Sequence, residues 1–63
     1  MGDYMKTALV RLNGTLQIIR NNYYFTNKEM ETELKSNGYK VLKVWNGNKS
    51  DSFVDNWEWL NRK

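Results

Sequence analysis

A chain of 63 residues with ten Lys and Arg, seven Asp and Glu, no Cys and no His is one small domain, and at this length only about 60% of the unfolded surface is buried. The missing Cys and His exclude disulfides and the usual metal ligands, so self-association is the remaining aid to a small core. No run approaches the about 18 apolar residues of a membrane helix, and the start "MGDYMK" lacks the basic and apolar regions of a signal peptide; no membrane partner and a soluble, cytoplasmic chain are expected.

Residues 4–23 admit two readings. Met5, Leu9, Leu12, Leu16, Ile19 and Tyr23 follow one another at intervals of 4, 3, 4, 3 and 4, a heptad stripe compatible with one long helix. Against it, Asn13-Gly14 falls mid-segment, where Gly costs about 1 kcal/mol relative to Ala. Thr7, Val10, Thr15, Ile18 and Ile19 also suit strands better. The favoured reading is a hairpin turning at Leu12-Asn13-Gly14, with Gly14 in a left-handed bulge position. That three-residue loop pairs Arg11 with Thr15, Val10 with Leu16 and Ala8 with Ile18. A two-residue Asn13-Gly14 loop would mix polar and apolar groups on both faces. A second tight turn at Asn21-Asn22 would add a third strand through Tyr24 and Phe25, completing a meander.

Next comes a capping box, Thr26-Asn27-Lys28-Glu29, with Phe25 and Met30 placed as a hydrophobic staple. It predicts a helix over 27–37 that carries a Glu31–Lys35 pair and stops at Gly38. "YKVLKVW", 39–45, reads as a strand apolar on both faces, either central or covered on both sides. "NGNKSD" is a loop, and Ser50 or Asp51 can cap a last helix over 52–61. On that helix Phe53, Val54, Trp57 and Leu60 form the expected core stripe, leaving Trp59 outside it. The fold class expected is α+β: an N-terminal β-hairpin or three-stranded meander, capped helix, strand and C-terminal helix.

Catalysis is poorly supported, because the usual general base and the strongest side-chain nucleophile are both absent. Glu29, Glu31 and Glu33 read as a solvated helix face, and Asp51 as a cap. Gly14, Gly38 and Gly47 each follow Asn, which marks turns rather than a phosphate loop. No cofactor, metal site or catalytic residue is expected, and the chain reads as a non-enzyme. The net charge of +3 is concentrated on the strands and the C-terminus, which favours polyanions.

In the meander register the sheet face opposite the capped helix presents Arg11, Thr15, Gln17 and Tyr24. Arg20, Lys40 and Lys43 complete a candidate nucleic-acid surface, of the kind β-ribbon readers insert into a groove. The ordinary alternative is that the C-terminal helix covers this face. Trp59 and Trp45 are the candidate protein contacts, since Trp is enriched among interface anchors. The function expected is a small regulatory or accessory protein that binds nucleic acid, DNA rather than RNA. The Asn- and Lys-rich, Ala-poor composition suits a bacterial phage or mobile element. The alternatives are a protein-binding inhibitor or adaptor, or a structural homo-oligomer.

Overall fold

The computed structural model describes residues 5–22 and 26–62. In chain order it contains β1 (Lys6–Leu12), β2 (Thr15–Asn21), α1 (Asn27–Ser36), β3 (Lys40–Asn46) and α2 (Asp51–Asn61). The long N-terminal helix is excluded, and the α+β order of hairpin, capped helix, strand and helix holds. The sheet order is β2-β1-β3, with both outer strands antiparallel to β1. Hence β2 and β3 run parallel, separated by the central strand, and α1 is the crossover between them. Tyr24 and Phe25, the expected third strand of a meander, lie outside the described residues. The third strand of the sheet is β3 instead.

The hairpin turns on two residues, not three. Leu12 pairs with Thr15, Arg11 with Leu16 and Val10 with Gln17, while Asn13 and Gly14 take φ of 53° and 79°. Two successive positive φ values are what a type I′ turn requires, and Asn-Gly is the pair that adopts them most readily. The objection to this register was its mixing of polar and apolar groups. Burial of β1 on both faces removes the objection: Ala8, Leu9 and Val10 are consecutive and all buried. A strand sandwiched by helices need not alternate. The polar residues of β2 sit instead at an open sheet edge.

One face of the sheet meets α1. Ala8, Val10, Met30 and Leu34 form its core, flanked by Ile19, Tyr39, Val41 and Val44. Val41 and Val44 are three residues apart yet share this core, because Leu9 pairs with Lys43 and Val10 with Val41, leaving Leu42 as the extra residue of a β-bulge. The capping box closes as expected on the Thr26 side, where Oγ1 accepts the Glu29 N–H at 3.0 Å. Glu31 and Lys35 pair at 2.8 Å. β3 packs Val41 and Val44 against α1 and Trp45 against α2, while Lys40 and Lys43 stay exposed; it is an edge strand, and the central place belongs to β1.

The other face meets α2. Trp45, adjacent in sequence to Val44, points away from the α1 core and packs edge-on against Phe53 and Trp57, with ring centroids 5.7 and 5.5 Å apart. Ser50 caps the helix by accepting the Phe53 N–H at 3.1 Å. The loop into α2 is tied to β1 by buried Thr7, whose hydroxyl donates to the Gly47 carbonyl and accepts the Lys49 N–H, both at 2.9 Å. Lys6, also buried, spends its ammonium on Asn46 Oδ1 at 2.6 Å.

The core stripe of α2 is displaced from the expected one. Val54 is buried and Trp57 half-buried, but Phe53 and Leu60 are 45% and 71% exposed. Glu58 lies nearer the sheet than Leu60 does, its side chain 14% exposed. At about 100° per residue, the contact face centres near Val54 and Asn61, about 40–50° round from the predicted stripe. The Trp45 ring meets Phe53 and Trp57 on one flank of the helix, and Leu60 stays outside that contact.

Candidate nucleic-acid interface

The sheet surface expected to read a groove is not free, because α2 lies across it. What remains open on that side is a cleft of about 390 Å³ at the hairpin end of the sheet, lined by Arg11, Lys40, Leu42, Trp57, Glu58, Asn61 and Arg62. Each position follows from local structure. Arg11 and Lys40 are directly opposite partners on β1 and β3, so their side chains leave the sheet on the same face. The bulge supplies Leu42 to the floor. Trp57, Glu58 and Asn61 recur at helical spacing on the inner side of α2, and Arg62 caps it.

Charge within the cleft is unequally compensated. Arg62 reaches back to Glu58, with Nη2–Oε1 at 2.6 Å and Nε–Oε2 at 3.3 Å. The Arg62 hydrogen bond holds the Glu58 carboxyl below the usual glutamate value, helped by the charges of Arg62 and Arg11 and opposed by burial. Asn61 is likewise engaged, donating to the Trp57 carbonyl at 2.9 Å. Arg11 and Lys40 have no ion-pair partner among the described residues. The cleft therefore sets two cations that are in no ion pair beside an indole wall, with the Glu58 carboxylate bound to Arg62 and also under the charge of Arg11.

The sequence-predicted residues scatter around this cleft. Thr15 and Gln17 pair with Leu12 and Val10 and so belong to the α1 face, opposite to Arg11. The two-residue turn separates them, since a one-residue shift of register exchanges the faces of a strand. Arg20 is on the α2 face but is spent: it donates to the Lys49 carbonyl at 2.7 and 3.2 Å and to Asp51 Oδ1 at 2.6 Å, clamping β2 to the start of α2. Lys43 is exposed beside the bulge, opposite Leu9, and has no ion-pair partner among the described residues. Tyr24 lies outside the described residues. Of the proposed set, Arg11 and Lys40 are brought together, with Lys43 on the same strand as Lys40.

The two tryptophans proposed as protein contacts also part company. Trp45 is half-buried between Phe53 and Trp57 and serves as packing. Trp59 is 66% exposed, with the Arg62 guanidinium 5.0 Å from its ring centroid. Sequence reasoning missed Trp57, Arg62 and Leu60 as surface-forming residues. The i,i+4 spacing of Glu58 and Arg62 was a usable signal for the second of these.

Among the described residues no group of three or more Asp and Glu is placed to hold a metal ion. No described helix is long and apolar enough to cross a membrane. No protein-family model matches the chain, and no curated protein or solved structure matches it either.

Proposed function

We propose that the protein is a non-enzymatic nucleic-acid-binding module that holds a single strand of DNA in the cleft between the hairpin end of the sheet and the C-terminal half of α2. The observation that carries this reading is the opposed Arg11–Lys40 pair, neither of them in an ion pair among the described residues, beside the Trp57 indole. Two cations on neighbouring strands suit successive phosphates, and an aromatic wall suits an unstacked base. A single strand fits better than a duplex, because α2 occupies the face a groove-reading sheet would present. A small regulatory or accessory protein of a phage or mobile element is consistent with the chain's size and its Asn- and Lys-rich composition.

A protein-binding adaptor is the second reading, favoured by the exposure of Trp59 and Leu60. Fluorescence anisotropy with a labelled thymidine oligonucleotide at about 50 mM salt separates the two. Micromolar binding that is lost in the Arg11→Ala/Lys40→Ala variant supports the nucleic-acid reading. Absence of binding at about 100 μM protein, a range in which even non-specific DNA binding is seen, removes it.

A further inference from the structure

The outer side of α2 carries a second feature, independent of the cleft. Phe53, Asn56 and Leu60 lie on one stripe of the helix at intervals of three and four residues, with Trp59 on its flank. Phe53, Trp59 and Leu60 are 45%, 66% and 71% exposed, and Asn56 is exposed between them. None of these four side chains is charged, although the helix has Asp51, Asp55 and Glu58 elsewhere.

We infer that this stripe is the contact between two copies of the chain, with α2 packed antiparallel against α2 of the partner across a twofold axis beside Asn56. Three properties select a second copy over an unrelated protein. The stripe is self-complementary: reversed on itself about the Asn56–Trp57 step, it places Phe53 against the other copy's Leu60 and the reverse, as an isologous contact requires. An exposed amide beside the axis meets an identical amide, and each can donate and accept, so Asn56 would set the register as a polar residue does within a coiled-coil seam. Packed antiparallel, the two helices also set their dipoles in opposition.

The area sets the strength. Taking about 200 Å² for a large side chain, the exposed parts of Phe53, Trp59 and Leu60 supply about 360 Å² per copy. With Asn56 at the axis and Ser52 at the rim, the total approaches about 1,000 Å², the lower limit for a specific and transient interface. The dimer is therefore a weak one, and it leaves the cleft open, because the cleft is on the opposite side of α2. Two clefts per dimer would act on one strand or on two.

Sedimentation velocity over a concentration series, combined with single-Cys cross-linking, tests the inference. The chain has no cysteine of its own, so Asn56→Cys is the sole thiol in that variant. The wild type should shift from monomer to dimer as protein rises toward about 500 μM. Leu60→Glu should weaken association at least about tenfold with an unchanged circular dichroism spectrum. Asn56→Cys should form a disulfide-linked dimer under mild oxidation, whereas Glu33→Cys, on exposed α1, should not. A wild type that stays monomeric at the highest concentration overturns the inference, as does a dimer indifferent to Leu60→Glu, or equal cross-linking at the two positions. None of these readouts requires nucleic acid, so they stand or fall apart from the function of the cleft.

Discussion

Removing Arg11 and Lys40 together changes a quantity that a purely structural role would not move, namely the salt dependence of DNA binding. Each phosphate neutralised on a single strand contributes about 0.7 to the slope of log K against log salt. Of the cations lining the cleft, Arg11 and Lys40 lack ion-pair partners among the described residues, whereas Arg62 is committed to Glu58, and Arg20 outside it to Asp51. Two contacts give a slope of about −1.4, so raising salt from about 50 to about 200 mM should weaken binding about sevenfold. In Arg11→Ala/Lys40→Ala the slope should fall close to zero. Arg20→Ala is the control: its charge is bound to Asp51 and the Lys49 carbonyl, so the slope should stay near about −1.4 while stability falls by up to about 1 kcal/mol. The assay is anisotropy with one oligonucleotide at four salt concentrations. A slope that is the same in wild type and double variant, or one that flattens in Arg20→Ala instead, would refute the assignment of the cations.

Other perturbations test separate parts of the structure. Glu58→Gln frees Arg62 from its ion pair and should tighten DNA binding, steepening the salt slope by about 0.7 if the guanidinium turns to a phosphate; weaker binding would show that Glu58 orders the cleft instead. Glu31 and Glu58 have carboxyls held below the usual value by Lys35 and Arg62. A folded value below the unfolded one stabilises above the usual glutamate range and ceases to do so as acid protonates the pair. The thermal midpoint should therefore hold down to about pH 5 and fall below about pH 4. Thr7→Val leaves the Gly47 carbonyl and Lys49 N–H without their partner and should cost about 1–3 kcal/mol in a denaturant titration. Trp57→Ala opens the space beside Trp45 and should cost about 3 kcal/mol, while Trp59→Ala, largely exposed, should change stability by under about 0.5 kcal/mol. Equal losses in the two would contradict the placement of α2.

Local chemistry was legible in the sequence wherever one short stretch decides it. Thr26 and Ser50 cap the two helices because a hydroxyl three residues before an N–H has one obvious use, and the Glu31–Lys35 pair needs only i,i+4 spacing. Long-range pairing was not legible in the same way. The hairpin register turned on whether β1 has one buried face or two, and that depends on α2, about 40 residues further along the chain. The same ignorance placed Thr15 and Gln17 beside Arg11, when the two-residue turn puts them on the other face. The phase of α2 was misjudged for a related reason: an isolated apolar stripe says where Phe53, Trp57 and Leu60 lie on a helix, but only the partner ring of Trp45 says which of them goes in. Arg11 belonged to the candidate set by its face in the hairpin and Lys40 by charge, and their opposition across β1 and β3 is a property of sheet order that no local pattern encodes.

The central claim is that DNA lies in the cleft between Arg11, Lys40 and Trp57. A titration of isotopically labelled protein with a thymidine oligonucleotide, followed by amide and indole chemical shifts, locates the ligand directly. The account predicts the largest changes at the Trp57 indole N–H and at the backbone of Arg11, Lys40, Leu42 and Arg62, with Thr15, Gln17 and the exposed face of α1 unmoved. Changes centred on β2 and α1, with the Trp57 indole unaffected, would contradict it.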